Sequence, residues 1–321
     1  MRRRLMLRVA AAGGLAASTA TLPARAAGYP SRPLRIVVPW AAGTGTDLNA
    51  RAIAQQITAD SRQVVVVDNK AGVGGSIGTA EVARLPADGY TVLATSNAHV
   101  ANLFLIKNLP YDPLQDFVPV GSTRRLPSLL VARPGLGVST IAQLTELARR
   151  EPGKISFGAG TSAGRMGMEL YQQMAGVKLL HVPYKSATAA LNDLLGGHCD
   201  VMFVDIFNSL TQIRAGTLVP LAASGRTRLK VLPELPTVAE SGLPGYEMTS
   251  WSGLWLRKGA PEAAVAYLNR MARKAAEAER ESVEATGGEV FVDTQEAFAR
   301  FVDAEVALWR RTAAAAKIVP E

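Results

Sequence analysis

From Leu34 onward the chain alternates two kinds of pattern. Short apolar runs (Leu34-Arg35-Ile36-Val37-Val38-Pro39, Val64 to Val67, Tyr90 to Thr95) end in clusters of Gly, Thr, Ser or Asn. Stretches with apolar residues at helical spacing follow them. The first run enters the loop Trp40-Ala41-Ala42-Gly43-Thr44-Gly45-Thr46-Asp47, and a helix is expected over Leu48 to Ile57. The second enters Asp68-Asn69-Lys70-Ala71-Gly72-Val73-Gly74-Gly75-Ser76 and a short helix to Leu85, after which Ala87-Asp88-Gly89 turns the chain into the third. Strands alternating with helices predict an α/β fold with a largely parallel sheet, and ligands gather beyond the carboxyl ends of such strands. The loops at Trp40–Asp47, Gly72–Ser76 and Ser96-Asn97 are therefore expected along one edge.

The pattern continues beyond the Leu109–Pro113 loop. Phe117 to Val120 and Leu129 to Val131 are expected strands, and Arg133-Pro134-Gly135 an expected crossing between domains. Thr140 and Gln143 have capping-box spacing at the start of a helix that runs to Arg150. A run from Ile155 then ends in Gly158-Ala159-Gly160-Thr161-Ser162, and a helix follows with Gly167, Leu170, Tyr171 and Met174 on one face. Leu179 to Val182 leads into Pro183-Tyr184-Lys185-Ser186 and a helix stopped by Gly196-Gly197. Val201 to Val204 is a fourth apolar strand, with Asp205 at its carboxyl end. Pro220 confines the Leu218 to Ala223 run to an edge or a bulge. Pro233 to Tyr246, with three prolines, reads as a surface connection, and Trp251 to Leu256 as the return crossing. Helices are expected from Pro261 to Ala278 and from Thr294 to Ala316.

The stretch Gly158 to Gly164 has several chemical readings. Its backbone N–H groups and the Thr161 and Ser162 hydroxyls stand at a helix N-terminus, where unmet donors and the helix dipole favour an anion. Gly158-x-Gly160-x-x-Ala163 imitates a dinucleotide fingerprint, but the acid that should follow about 20 residues on is missing from Leu179–Tyr184. Gly160-x-Ser162-x-Gly164 imitates a hydrolase elbow, which needs an acid and then a histidine downstream. His181 and His198 follow, and the acids before His198, Glu169 and Asp193, lie within helical patterns, so a serine hydrolase using Ser162 is a remote alternative. The plainest reading is a tight turn. One helix terminus supplies about 0.3–1 kcal/mol, whereas micromolar binding needs about −8 kcal/mol. Loops of the same kind on two domains, each giving charge-assisted hydrogen bonds, meet that requirement.

Length and charge narrow the class. The 321 residues suffice for two domains. The formal charge is +8, but Arg2, Arg3, Arg4, Arg8 and Arg25 lie in an acid-free leader; without them 30 basic residues face 27 acidic ones, +3, too balanced for a nucleic-acid binder. That leader has an arginine-rich start, a modest Ala/Leu/Gly stretch and the small-x-small site Ala24-Arg25-Ala26, the pattern of a signal peptide over residues 1–26. Periplasmic export by a Sec or twin-arginine route is expected. Cys199 is the one cysteine, which precludes an internal disulfide; it reads as a small buried hydrophobe. His99, His181 and His198 lack metal-ligand spacing, and neither metal nor cofactor is expected.

In order and spacing these stretches resemble the Bug family, the substrate-binding proteins of tripartite tricarboxylate transporters. The resemblance rests on Ile36-Val37-Val38-Pro39 with its Gly/Thr loop, Asn69-Lys70-Ala71-Gly72 with Gly74-Gly75-Ser76-Ile77-Gly78, Asp88-Gly89-Tyr90-Thr91 and Leu109-Pro110-Tyr111-Asp112-Pro113. His181-Val182-Pro183-Tyr184-Lys185, Leu235-Pro236-Thr237-Val238-Ala239-Glu240 and Gly242-Leu243-Pro244-Gly245-Tyr246 extend it. It implies a type II periplasmic-binding fold: two α/β lobes joined by two crossings around a central cleft, with residues 27–131 and 252–321 in lobe 1 and 132–251 in lobe 2. It also implies a receptor that hands a small carboxylate to the membrane subunits of a transporter; a separate reading is a receptor that reports its ligand to a membrane sensor kinase, and a monomer is expected in either case. Carried onto this chain, the ligand-binding positions are Trp40, Ala41, Gly43, Thr44, Asp47, Gly75, Ser76, Ser96 and Asn97 in lobe 1. In lobe 2 they are Gly160, Thr161, Ser162, Arg165, Ser186 and Asp205.

The chain departs from that family in Ala42-Gly43-Thr44-Gly45, in Ser186 after the Tyr-Lys pair, and in Arg165, where histidine is usual. A cation in the first helical turn opposes the dipole, so Arg165 reads either as a ligand-carboxylate partner or as a solvated arginine. Asp205 reads as an acceptor for a ligand donor or as a helix cap. Trp40 reads as a stacking surface or a cover at the cleft rim, and Lys185 as solvated.

Overall fold

The computed structural model describes residues 28–285 and 287–320; the signal-peptide expectation lies outside them. The first lobe opens with three strand–helix units: β1 (Leu34–Val38) and α1 (Gly45–Ser61), β2 (Val65–Asn69) and α2 (Ser76–Ala83), β3 (Thr91–Ser96) and α3 (Ala98–Leu105). β4 (Phe117–Ala132) leads into the second lobe, which holds α4 (Ile141–Arg150), β5 (Ser156–Ala159), α5 (Ser162–Ala175), β6 (Leu180–Pro183), α6 (Ala187–Leu195), β7 (Val201–Asp205), α7 (Ile206–Arg214) and β8 (Val219–Ala223). The chain returns in β9 (Thr249–Arg257) and ends with α8 (Glu262–Ala278), α9 (Arg280–Ala285), β10 (Glu289–Val290) and α10 (Gln295–Ala315). As expected, Pro220 faces a register shift in the β4–β8 pairing.

One sheet path, β2-β1-β3-β9-β4-β7-β5-β6, runs through both lobes, with β8 and β10 also on β4. β1 is parallel to β2 and β3, and β5 to β6 and β7, while β9 is antiparallel to both β3 and β4. All the strand–helix loops of a lobe therefore open at one edge. Apolar side chains fill both faces of each half-sheet: Ile36, Val38, Ala94 and Leu254 pack under α1 and α8, and Val37, Leu93, Trp251 and Trp255 under α2, α3 and α10. Fully buried strands lined on two faces need the continuous apolar runs this sequence has.

The crossings differ from the expected ones. The two runs at Phe117 and Leu129 are one 16-residue strand, and it changes partners in its middle. Through Pro127 it pairs with β9, and from Ser128 with β7. Arg133 is no crossing: its N–H donates to the Asp200 carbonyl (2.9 Å) and its Nε to the Asp200 carboxylate (2.8 Å), inside the second half-sheet. Nor is Trp251 to Leu256 the return, since it is buried first-lobe strand. The return lies just before, where Ser224 N–H donates to Ser128 O (2.8 Å), Ser128 N–H to Ser224 Oγ (2.8 Å) and Met248 N–H to Ser224 O (3.0 Å). The two crossings run side by side and are knitted together by a fully buried serine. Their proximity is a tertiary fact, made by residues 96 positions apart.

The segment from Pro233 to Tyr246 is less superficial than its composition suggests. Thr237 and Val238 are fully buried, Thr237 bridges to Ala223, and Tyr246 Oη donates to the Gly167 carbonyl at 2.9 Å. The last helix is shared: Val302 and Val306 pack in the first lobe, and Trp309 and Ala313 against the α5 side of the second.

Candidate functional site

The second lobe contributes two helix starts held against each other. Thr161 is extended (φ −137°, ψ 154°) and its Oγ1 accepts from Gly164 N–H at 3.0 Å. Ser186 is likewise extended (φ −158°, ψ 159°), and its Oγ accepts from Ala189 N–H at 3.2 Å. Each hydroxyl meets one donor of its helix and leaves the earlier N–H groups of that turn without an intrahelical acceptor. Gly160 joins the two. A Cβ there would lie 2.0 Å from Ser186 O and 2.5 Å from Ala187 N, so only glycine lets the β5–α5 loop rest on the peptide that opens α6. Two positive helix ends meet at the carboxyl edge of β5 and β6, with the Ser162 backbone and hydroxyl beside them.

Asp205 ends β7 directly opposite Ser128, where the strand changes lobes. It stands in the cap position of α7, yet its side chain caps nothing; Ser128 Oγ donates to Oδ1 at 3.5 Å. Burial pushes its carboxyl above the ordinary value, against the weaker opposing pull of that hydroxyl. Asp205 is thus a half-buried acceptor with spare capacity at the hinge.

Arg165 departs from the ligand-facing reading. Its Nε pairs with Glu169 Oε1 one turn along α5 (2.8 Å), a terminal nitrogen meets His181 Nδ1, and the guanidinium lies over Phe157 (5.8 Å). Those partners lie on α5 and on the α5-facing side of β5 and β6, so the cation is drawn back along the helix. Phe157 and His181 are register partners one residue pair from the strand start, which is why the reach of an arginine suffices. With His181 held this way, Ser162 has no histidine partner among the described residues, and the elbow reading has no geometry behind it.

The first-lobe loops are pinned by their own polar groups. Asp47 is 1 % exposed, with Oδ2 accepting from Gly43 N–H (2.8 Å) and Arg51 Nε (3.0 Å) and Oδ1 from Asn69 Nδ2 (2.9 Å). Burial raises its carboxyl, but these donors outweigh it and hold the group below the ordinary range. Thr44 caps α1 and donates to the Ala41 carbonyl at 2.9 Å. Gly75 (φ +84°) brings the second loop onto the first: a Cβ there would sit 3.2 Å from the Trp40 ring, which covers it. Ser76 follows as the buried first residue of α2. Ser96 Oγ accepts from Ala98 N–H (3.4 Å), and Asn97 N–H donates to Trp251 O (3.2 Å), tying the third loop to β9. The predicted lobe-1 residues do share one edge, but Asp47 and Asn97 shape it rather than present free groups.

One residue at this edge went unread in the sequence. β4 runs parallel to β3, so Arg124, paired with Ser252 as Ser252 is with Ser96, reaches the same edge. A terminal nitrogen donates to the carbonyl of Gly45, the first residue of α1. The available signal was a Thr-Arg-Arg triplet interrupting an otherwise apolar strand. A separate cavity of about 560 Å³ lies between α5 and α10, lined by Leu170, Met174, Glu247, Glu305 and Arg311 among others; it holds none of the predicted residues. Among the described residues no group of three His, Cys, Asp or Glu is placed to hold a metal, and no helix is long and apolar enough to cross a membrane.

Residues 49–317 match the family model described as tripartite tricarboxylate transporter family receptor. The chain belongs to this receptor family. Among its relatives, a protein of the tcbD-tcbE intergenic region of Pseudomonas sp. (strain P51) is 39 % identical over 278 residues, covering 85 % of this chain and 82 % of the relative. Protein BugT of Bordetella pertussis is 33 % identical over 315 residues, 95 % of this chain and 96 % of its own. Among solved structures, R. palustris Rpa4515 with adipate superposes with a TM-score of 0.79 at 34 % identity, covering 91 % of this chain and 100 % of that one. The periplasmic binding protein BugD gives 0.76 at 34 %, with the same coverage. MatC of Rhodopseudomonas palustris with bound malate gives 0.75 at 27 %, covering 89 % of this chain and 100 % of that one. The Bug-type receptor fold, two lobes around a cleft joined by two crossings, is thus the fold of this chain.

Proposed function

We propose that this chain is a periplasmic receptor that captures a small carboxylate between its lobes and delivers it to the membrane subunits of a tripartite tricarboxylate-type transporter. The observation that carries this reading is the Gly160 contact, which presses the α5 and α6 helix starts together at one edge of the sheet. Two helix N-termini with capping hydroxyls make a carboxylate-sized anion site. Asp205, across the second-lobe edge, is the acceptor for a hydroxyl or amine on the same ligand. Gly43, Thr44, Gly75, Ser76 and Ser96 form the opposing wall, and Trp40 covers its rim. The role is binding rather than catalysis: among the described residues Ser162 has no histidine partner, and this reading is supported by an adipate-bound and a malate-bound protein of the same fold.

A ligand that binds only the folded chain raises its melting temperature by mass action. A thermal-shift screen against mono-, di- and aromatic carboxylates is expected to give at least one saturating rise, confirmed by calorimetry. Absence of any rise across the panel refutes the carboxylate reading. Deletion of the gene in its host is expected to abolish uptake of the acid that scores; uptake that continues unchanged refutes the transport role.

A further inference from the structure

Arg124 and Arg125 are neighbours in sequence and opposites in environment. Arg125 lies 3.5 Å over the Phe291 ring and pairs with Glu247 (3.6 Å) and Glu289 (3.5 Å). Arg124 points to the other face, toward α1. The Nε atoms of both arginines are buried with no hydrogen-bond partner, but among the described residues Arg124 makes no ion pair; Glu279 acts on it only at a distance. Desolvation accordingly makes its charge less favourable than usual. Among the described residues its guanidinium hydrogen-bonds the carbonyl of Gly45 alone, at the positive end of α1, where a second positive charge is unwelcome. A desolvated cation beside a helix N-terminus is unfavourable alone, and an anion bound between them satisfies both. Ser252 is its register partner on β9, and Ser96 lies one strand further along the same row, on the cleft edge.

We propose that Arg124 is the first-lobe anchor for a second carboxylate, so that this receptor selects dicarboxylates over monocarboxylates of equal length. The assignment rests on the carboxylate reading above, which places the first carboxylate at the α5 and α6 helix starts. The guanidinium donors not held by Gly45 take the second carboxylate, and closing the lobes removes both charges from water together. Recognition then reads the spacing between two acids rather than one group alone.

The test is calorimetry on the full chain with succinate, malate and adipate, each beside a monocarboxylate of the same length (butyrate, 3-hydroxybutyrate, hexanoate). The wild type is expected to favour at least one diacid over its monoacid by about 30-fold, the scale of a charged hydrogen-bonded pair. Arg124→Met is expected to abolish that preference while moving monoacid affinity by less than about threefold, and Arg124→Lys to keep part of it. A wild type that binds diacid and monoacid alike overturns the assignment. So does an Arg124→Met or Arg124→Lys protein that weakens both acids equally, the signature of a structural role through Gly45. Should no acid of either kind bind the wild type, the carboxylate reading falls and this assignment with it.

Discussion

Gly160→Ala is the sharpest perturbation this structure offers. The new methyl would lie 2.0 Å from Ser186 O, 2.1 Å from Ser186 C and 2.5 Å from Ala187 N. All three atoms are backbone, so no rotamer change relieves the clash. Ordinary contact requires the β5–α5 loop and the α6 start to part by about 1 Å or more, in an interior that is close-packed. Overpacking of this kind costs about 1–3 kcal/mol, and a backbone wall puts the cost at the upper end. At about 2–4 °C per kcal/mol, the melting temperature should fall by roughly 6–12 °C. Binding should suffer separately: displacing donors by that distance forfeits at least one charge-assisted bond of about 1.5–3 kcal/mol, or roughly 10–150-fold in affinity. Calorimetric unfolding reads the first quantity and isothermal titration of the acid found in the screen reads the second. Gly158→Ala is the matched control, because its methyl meets the Cys199 Sγ at 3.1 Å and Tyr184 at 3.2 Å, side chains that can yield; its fall should be less than half as large. A Gly160→Ala protein that melts within about 1 °C of wild type and binds equally well would refute the packed helix-start site.

Burial raises the Asp205 carboxyl above 3.8 in spite of the Ser128 hydrogen bond, so the folded chain holds that proton more tightly than the unfolded one. The group then opposes folding increasingly as pH rises from about 4 through its folded value. Asp205→Asn should melt higher than wild type at neutral pH, with the gain vanishing toward pH about 4; a pH-independent difference in a melting series contradicts this. Asp47 has the opposite sign: its lowered pKa contributes stability at neutral pH that is lost as pH falls through the folded value. Asp47→Ala, which strands the Gly43 and Asn69 donors, should lose about 1–3 kcal/mol at pH 7 in urea titrations, narrowing in acid; an unchanged midpoint argues against the pinned loop. Cys199 is 1 % exposed, and burial pushes its thiol up to about 11. Ellman's reagent should leave it unmodified in the native chain and react fully in guanidinium, and rapid native labelling would contradict the packing.

Much of the scaffold was legible in the chain. Apolar runs at Leu34, Val64, Tyr90 and Val201 became strands because four or five consecutive β-formers have few alternatives between loop signals. Thr161, Ser186 and Thr294 cap helices whose starts the sequence placed near them. The Thr140 box is made differently: Thr140 Oγ1 accepts from Gln143 N–H, but Gln143 reaches back to Ser139 N–H at 2.7 Å. Arg165 shows the limit of local reading. Its dipole conflict was visible in sequence, but Glu169 and His181, which resolve it, are brought within reach by helix winding and strand register. Arg124 was missed for the converse reason, since an arginine inside a strand has a face and an edge only once its partners are known.

By itself the sequence determined the local units and the small residues at their loops, because these depend on a few neighbouring φ/ψ values and side chains. Tertiary structure decided where the lobes divide, since β4 runs on unbroken and changes partners in mid-strand. It also decided which polar groups are spent and which remain open. Asp47 is consumed by its neighbours Gly43 and Arg51 together with the more distant Asn69, and Asn97 by Trp251 far along the chain, whereas Asp205 and Arg124 are desolvated and left short of partners. Whether a charge is satisfied depends on which distant groups the fold carries to it, and no window of sequence contains that distance.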